Sequence, residues 1–187
     1  MCIRDSLKGP MAWLDLDCDG DRDLASFVLE GPAEARIRLQ IRVSAGTYAI
    51  TDYVTAHPVS NLSVVDKTGD GKPDLLIGSK TNSGEGVVSL ARNNGDGTFQ
   101  AEEVIAQRSA ALQTLLAIDT NGDDDCDFMA TFLDGTRVNG DNDGTGTFQL
   151  SESVQNITPI QTRAGIDDFT MLADDNDSGE RVLTTFD

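Results

Sequence analysis

The sequence predicts an all-β protein built from repeats of about 50 residues. Three observations lead to this prediction: an acidic segment recurs at near-regular intervals, a turn segment recurs in step with it, and short apolar runs flank each acidic segment. Two landmarks with one shared period indicate a repeat architecture rather than chance acidity. The chain has 187 residues, which is long enough to bury a core.

The acidic segments read DLDCDGDRDL, DKTGDGKPDL, DTNGDDDCDF and DDNDSGERVL, and they begin at Asp15, Asp66, Asp119 and Asp174. Their starts are therefore 51, 53 and 55 residues apart. The turn segments read SAGTYAI, GDGTFQA and GTGTFQL, and their threonines are Thr47, Thr98 and Thr147. We count three full repeats and the opening of a fourth.

Each repeat has the residue pattern of short strands. Apolar runs such as MAWL and LASFVL stand on either side of the acidic segment, and residues 36–43, RIRLQIRV, alternate polar with apolar side chains. Alternation with a period of two is typical of a strand with one buried face. The arginines of this strand are expected on the charged outer face of an edge strand.

Turn chemistry predicts the remaining strands. The Gly-rich turn at residues 94–97 predicts that TFQAEEV, which begins at Thr98, starts a fourth strand. In the third repeat, the shortened segment DGTRVNGDNDGTGTF suggests an incomplete strand. SAALQTLLAI has helix propensity, but its place in the repeat favours a strand.

Four short strands per repeat are the pattern of a β-propeller blade, so we predict roughly three and a half antiparallel blades of an incomplete propeller. Residues 1–10, which include MCIRDS, are interpreted as a leader that is not native sequence. The blades are assigned to residues 11–61, 62–111, 112–168 and, for a truncated fourth, 169–187. Because two open ends would leave strand edges uncovered, we expect the chain to be a fragment of a larger propeller.

The acidic segments also predict metal sites. Oxygen-bearing side chains stand at positions 1, 3, 5 and 9 of each of the first three segments, with a turn-forming residue at position 6. About six to eight oxygen ligands in a flexible arrangement suit Ca²⁺, whereas Mg²⁺ prefers strict octahedral geometry and zinc prefers His or Cys. With the backbone carbonyl of position 7 included, the predicted ligands are Asp15, Asp17, Asp19, Asp21 and Asp23; Asp66, Thr68, Asp70, Lys72 and Asp74; and Asp119, Asn121, Asp123, Asp125 and Asp127.

The fourth acidic segment is the weakest candidate. It offers Asp174, Asn176 and Ser178, but Val182 stands at position 9, so we expect a weak calcium site there at best. The alternative interpretation, solvated acidic turns, explains the acidity but not the oxygen at alternate positions. Two carboxylates about 5 Å apart repel by roughly 3 kcal/mol at an effective dielectric near 20, which favours a bound cation. The sequence therefore predicts about three calcium sites.

DLDCDGDRDL, DKTGDGKPDLLIG and NNGDGTFQ resemble the FG-GAP and VCBS repeats of the integrin-alpha-type β-propeller, and the resemblance covers about residues 11–187. The literal FG and GAP signatures are absent, so the chain is most similar to the bacterial, VCBS-like variety. The resemblance implies that the acidic loop joins two strands of a blade and holds Ca²⁺. It further implies a secreted or cell-surface protein that serves adhesion or recognition.

Charge narrows the class of partner. The formal net charge of −18 argues against nucleic acid and anionic membranes, and no apolar run approaches the roughly 20 residues of a membrane span. We therefore expect a non-enzymatic segment that binds a protein or carbohydrate ligand and associates with further blades of its parent chain. Cys18 and Cys126 are expected to be free thiols.

The alternative is a module of a secreted glycan- or lipid-active hydrolase or lyase. The carboxylates outside the acidic segments that such an enzyme would use include Glu102, Glu103 and Glu152, and none of them has a paired acid at a readable spacing.

Overall fold

The computed structural model describes residues 11–27, 35–144, 147–154, 170–174 and 181–185. Every regular element in this part of the chain is a β-strand, which confirms the all-β prediction. The chain divides into two compact units, Met1–Gln155 and Asn156–Asp187. No helix among the described residues has the length and apolar character that a membrane crossing requires.

The first unit contains three four-stranded antiparallel sheets, and in each sheet the strands are neighbours in chain order. Sheet 1 consists of β1 (Met11–Leu14), β2 (Asp23–Phe27), β3 (Arg36–Ser44) and β4 (Thr47–Val54). Sheet 2 consists of β5 (Val59–Val65), β6 (Asp74–Lys80), β7 (Gly86–Ala91) and β8 (Glu103–Arg108). Sheet 3 consists of β9 (Leu112–Ile118), β10 (Asp127–Phe132), β11 (Thr136–Asn142) and β12 (Phe148–Val154).

The second unit contains one antiparallel strand pair, β13 (Thr170–Asp174) and β14 (Arg181–Thr185). Asp174, the first residue of the fourth acidic segment, is the last residue of β13 and pairs with Arg181. Asn176 and Ser178, the other two predicted ligands of this segment, lie outside the described residues, as does the leader at 1–10.

Each acidic segment of the first unit connects the first two strands of its sheet. We name these connections loops 1, 2 and 3, at residues 15–23, 66–74 and 119–127. The residue before each loop pairs across the strands with the aspartate at position 9: Leu14 with Asp23, Val65 with Asp74, and Ile118 with Asp127. All three loops therefore close a strand pair with the same register.

The hydrophobic core lies between successive sheets. One cluster joins sheets 1 and 2 and includes Leu16, Ile37 and Leu75, all of them fully buried. The other joins sheets 2 and 3 around Phe128, whose ring meets that of Phe148 edge-on with centroids 5.0 Å apart. Burying side chains of this size stabilises a protein by about 1.5–3 kcal/mol each. Sheet-to-sheet packing therefore fixes where the three loops lie relative to one another.

Three strand predictions were wrong in detail. The fourth strand of sheet 2 begins at Glu103 and not at Thr98, because the turn segment before it forms only an isolated bridge between Asn93 and Phe99. In the third repeat, β11 is a full seven-residue strand, since a tight turn with Gly135 at φ 83° makes its shorter connection sufficient.

The third correction concerns β3. This strand lies between β2 and β4, so it is not an edge strand. Its arginines are paired with carboxylates: Arg36 and Arg38 contact Asp52 at 3.2 and 3.0 Å. These contacts stabilise the β3–β4 pair across the face that the sequence placed in solvent.

Candidate metal centre in the acidic loops

The three loops share one backbone conformation. Positions 4 and 6 both adopt positive φ, in the left-handed region that favours glycine. Position 4 is Cys18 (φ 61°), Gly69 (φ 69°) and Gly122 (φ 83°), and position 6 is Gly20 (φ 91°), Gly71 (φ 83°) and Asp124 (φ 69°). Sequence reasoning identified position 6 but missed position 4, where glycine in two of the three loops was the available signal.

The position-1 aspartate closes each loop from the inside. Its carboxylate accepts a hydrogen bond from the backbone N–H of position 6, five residues later. The donor and acceptor pairs are Gly20 to Asp15 (3.0 Å), Gly71 to Asp66 (2.9 Å) and Asp124 to Asp119 (3.3 Å). These bonds close each loop into a turn between positions 1 and 6.

The position-5 aspartate supports the second half of the turn. One oxygen of Asp19 accepts the N–H of Asp21 at 2.8 Å. Asp70 accepts from Lys72 at 3.0 Å, and Asp123 accepts from Asp125 at 2.9 Å. This bond fixes the peptide that joins positions 6 and 7, just before the residue whose carbonyl is the predicted backbone ligand.

The position-9 aspartates Asp23, Asp74 and Asp127 are buried and bridge two strands. One oxygen accepts the N–H of loop position 2, and the other accepts an N–H from the third strand or the residues just after it. The first set of donors is Leu16 (2.7 Å), Lys67 (3.3 Å) and Thr120 (2.8 Å), and the second set is Arg42 (2.7 Å), Asn93 (2.8 Å) and Asn142 (2.8 Å). These three carboxylates therefore have a structural role independent of any ion.

Loop 1 brings three carboxylates together. Ligand oxygens of Asp15, Asp17 and Asp19 all lie within 4.8 Å of one another, and the described part of the chain holds no second set of three such acidic, His or Cys side chains. Asp17 Oδ1 is buried and has no hydrogen-bond partner in the described structure. Burial raises the pKa of Asp17, and the negative charges of Asp19 and Asp23 raise it further. A cation at this point would satisfy the unpartnered oxygen and relieve the repulsion.

Loop 2 brings fewer acids together. Asp66 and Asp70 occupy positions 1 and 5, but position 3 is Thr68, which is exposed. The ammonium of Lys72 lies 3.7 Å from Asp70 Oδ2 and partly neutralises that carboxylate. The sequence assigned Lys72 only a backbone carbonyl, and its side chain was not expected to pair within the loop.

Loop 3 contains an additional carboxylate. The amide of Asn121 donates to Asp123 Oδ2 at 2.9 Å and to Asp141 Oδ1 at 2.6 Å. Asp141 belongs to β11, and its pKa is raised by partial desolvation and then by the charge of Asp127. Sequence reasoning missed Asp141, because its approach to the loop depends on the β10–β11 pairing and not on loop spacing.

The donor set fits calcium best at loop 1. Carboxylate oxygens converge there, one of them is buried without a partner, and a carboxylate offers about four lone-pair sites, so an oxygen that accepts an N–H can still bind an ion. The thiol of Cys18 stands at position 4 and is exposed, whereas the thiol of Cys126 at position 8 of loop 3 is buried.

Repeated four-stranded antiparallel sheets, each with an acidic turn between its first two strands, define a β-propeller-type repeat protein. Residues 66–130 match the family model of the FG-GAP-like repeat. This segment is therefore similar to an FG-GAP-like repeat, in agreement with the resemblance that the acidic and Gly-rich segments indicate. The matched segment begins at Asp66 of loop 2, includes loop 3 and ends at Ala130 in β10. No curated protein matched the chain.

Proposed function

We propose that the acidic loops hold Ca²⁺ and that the chain is a non-catalytic, calcium-stabilised propeller segment of a secreted or cell-surface protein. The observation that carries this proposal is the convergence of Asp15, Asp17 and Asp19, with Asp17 Oδ1 buried and unpartnered. We extend the proposal to loops 2 and 3 because they share the backbone conformation of loop 1. The fourth segment is left as a weak candidate.

Calcium would act here as a clamp. Each loop connects the first two strands of its sheet, so an ion bound between positions 1, 3 and 5 fixes the turn that those strands share. Ions in neighbouring loops would hold one set of connections in a fixed arrangement, as a recognition surface requires. We propose protein or carbohydrate ligands for that surface. In an extracellular setting, affinities of about 10⁻⁴ to 10⁻³ M would suffice.

The contacts of Glu102, Glu103 and Glu152 support a non-catalytic role over a hydrolase or lyase. Glu102 accepts hydrogen bonds from the Ser89 hydroxyl and the Ala56 N–H. Glu103 pairs with Arg92, and Glu152 pairs with Arg108. Each of these carboxylates thus has a structural partner.

Calorimetric titration of the chelator-treated protein with Ca²⁺ tests the proposal. We expect about three sites, and we expect Asp17→Ala and Asp123→Ala to remove one site each. The melting temperature should rise with Ca²⁺ and return on addition of EDTA. Unchanged stoichiometry in both variants, or a melting temperature indifferent to EDTA, would contradict the proposal.

A further inference from the structure

Two buried asparagines occupy the same place in successive sheets. Asn93 follows β7 in sheet 2, and Asn142 ends β11 in sheet 3; they are 6% and 1% exposed. The backbone N–H of each donates to the position-9 aspartate of its own sheet, Asp74 or Asp127, at 2.8 Å. Each asparagine is therefore tied to the loop of its own repeat.

The side chain of each asparagine reaches the loop of the preceding repeat. Asn93 Nδ2 donates to the carbonyl of Leu16, position 2 of loop 1, at 3.0 Å. Asn142 Nδ2 donates to the carbonyl of Lys67, position 2 of loop 2, at 3.1 Å. Asn93 Nδ2 also donates to the carbonyl of Pro73, position 8 of loop 2, at 3.1 Å. One amide group thus bridges loop 1 to loop 2.

Further bonds fix the orientation of the bridge. Asn93 Oδ1 accepts the N–H of Gly95 at 2.8 Å. Rotating the amide by half a turn would place Oδ1 against the carbonyl oxygens of Leu16 and Pro73, which is unfavourable because none of these oxygens can donate a hydrogen bond. The carbonyl of Leu16 also accepts the N–H of Gly97 at 3.2 Å. The carbonyl at position 2 belongs to the peptide that joins positions 2 and 3, so bonds to it help to fix the backbone that carries the position-3 side chain.

Sheet 1 shows that the bond to the position-9 aspartate does not require an asparagine side chain. At the corresponding place Arg42 donates its backbone N–H to Asp23, and its guanidinium pairs with Asp21 at 3.0 Å. The bond within the sheet is therefore made without asparagine. What Asn93 and Asn142 add is the connection to the preceding loop.

We propose that Asn93 and Asn142 are positioning residues that couple neighbouring loops, so that an ion in one loop raises the affinity of the next. This inference rests on the proposed calcium function. An ion that orders loop 2 fixes Pro73 and Asp74, and through Asn93 it fixes the Leu16 carbonyl of loop 1. Coupling between binding sites is reciprocal, so an ion in loop 1 favours loop 2 by the same factor.

Terbium(III), which substitutes for Ca²⁺, gives a readout specific to loop 1. Trp13 is the single tryptophan of the chain and lies two residues before Asp15, so its excitation should sensitise an ion bound in loop 1. Loop 2 is disabled with Asp70→Asn. We expect this change to weaken terbium binding at loop 1 by about five-fold or more, within the usual range of coupling between sites.

The same measurement in the Asn93→Ala background separates the bridge from simple electrostatics. Loss of the Asp70 charge acts on loop 1 whether or not Asn93 is present, whereas coupling through the bridge requires it. We expect Asp70→Asn to have little effect on loop 1 once Asn93 is Ala. Asn94→Ala is the matched control and should leave the coupling intact, since within the described residues Asn94 bonds to Thr98 and Gln100 of its own turn.

The outcomes are distinct for the two proposals. If Asp70→Asn weakens loop 1 equally with and without Asn93, or not at all, the coupling is wrong while calcium binding stands. If no variant, including the natural sequence, shows sensitised terbium luminescence or calorimetric binding, the calcium proposal fails and the coupling with it. Should Asn93→Ala not fold, Asn142→Ala tests the junction of loops 2 and 3 by calorimetry, with Asp123→Asn disabling loop 3.

Discussion

Two aspartates of the same loop have different roles because their oxygens have different partners. Both oxygens of Asp23 accept backbone N–H groups, from Leu16 and Arg42, and the residue is fully buried. Asp17 Oδ1 is also buried but accepts no hydrogen bond within the described structure. A buried polar atom without a hydrogen-bond partner lowers the stability of the fold, so a bound ion would stabilise Asp17 more than Asp23.

Asp17→Asn should therefore have opposite effects with and without calcium. In EDTA the variant should be slightly more stable than the natural protein, because it removes one of three mutually repelling charges. The gain should be on the order of 1 kcal/mol or less, since the loop is open to solvent. In excess Ca²⁺ the variant should melt at a lower temperature than the natural protein. Thermal unfolding under both conditions measures this, and destabilisation in EDTA would contradict it.

Asp52 predicts a pH dependence of stability. Hydrogen bonds from Arg38 and Arg36 hold the pKa of Asp52 below its ordinary value of 3.8. A carboxyl whose pKa is lower in the folded state stabilises the fold above its unfolded pKa, and this contribution is lost as the pH falls through the folded pKa. Asp52→Asn should therefore lower the melting temperature at neutral pH, and the difference should disappear in acid. If the difference in melting temperature between the variant and the natural protein did not change with pH, the charge of Asp52 would not contribute to stability, and the prediction would be wrong.

At the scale of the elements, the loop is held by hydrogen bonds from backbone N–H groups to its aspartates. The position-1 and position-9 aspartates accept N–H groups from their own loop, and position 9 also accepts one from β3 or from the equivalent part of sheets 2 and 3. This arrangement predefines the turn between the first two strands. An ion bound as proposed would stabilise a conformation that the chain already adopts.

Asp74→Ala should destabilise sheet 2 more than replacement of a residue at position 1, 3 or 5 of loop 2 does. The change leaves the buried N–H groups of Lys67 and Asn93 without an acceptor, which should lower the free energy of unfolding by about 2–5 kcal/mol. Asp134→Ala is the matched control, because Asp134 is exposed and bonds with Thr136 two residues away in a surface turn. Urea unfolding in EDTA measures both. Equal losses in the two variants would contradict the structural role of position 9.

At the scale of the whole molecule, acidity opposes compactness. The formal net charge is −18, and three calcium ions, each adding two positive charges, would bring it to about −12. Self-repulsion of this kind is screened by salt, with a Debye length of about 10 Å at 0.1 M. Calcium should act by binding as well as by screening.

The two effects are separable by titration in EDTA-treated protein. Sodium chloride should raise the melting temperature gradually, by screening alone. Millimolar Ca²⁺ should raise it further at a fraction of the ionic strength, and Mg²⁺ should do less, because the loops offer flexible oxygen ligands and not strict octahedral geometry. Equal responses to Ca²⁺ and to sodium chloride of the same ionic strength would indicate screening only.

The sequence predicted much of the fold and part of the site. Four strands per repeat and the position of the acidic turn followed from apolar runs and their period. The start of β8 at Glu103 was missed, because the strand-like residues after Thr98 have no partner strand beside them. The left-handed residue Cys18 was missed for a related reason: its conformation is imposed by bonds to Asp15 across the loop.

What the sequence alone determined is local: strands, turns and the recurrence of oxygen-bearing side chains depend on residues a few positions apart, whose geometry the chain itself fixes. The tertiary structure decided which carboxylate oxygens are buried, which of them accept hydrogen bonds from backbone N–H groups, and which residues distant in sequence contact a loop. Asn93 and Leu16 are 77 positions apart, and Asp141 meets Asn121 only through the β10–β11 pairing. Such contacts depend on how sheets pack and pair, and no local spacing encodes that.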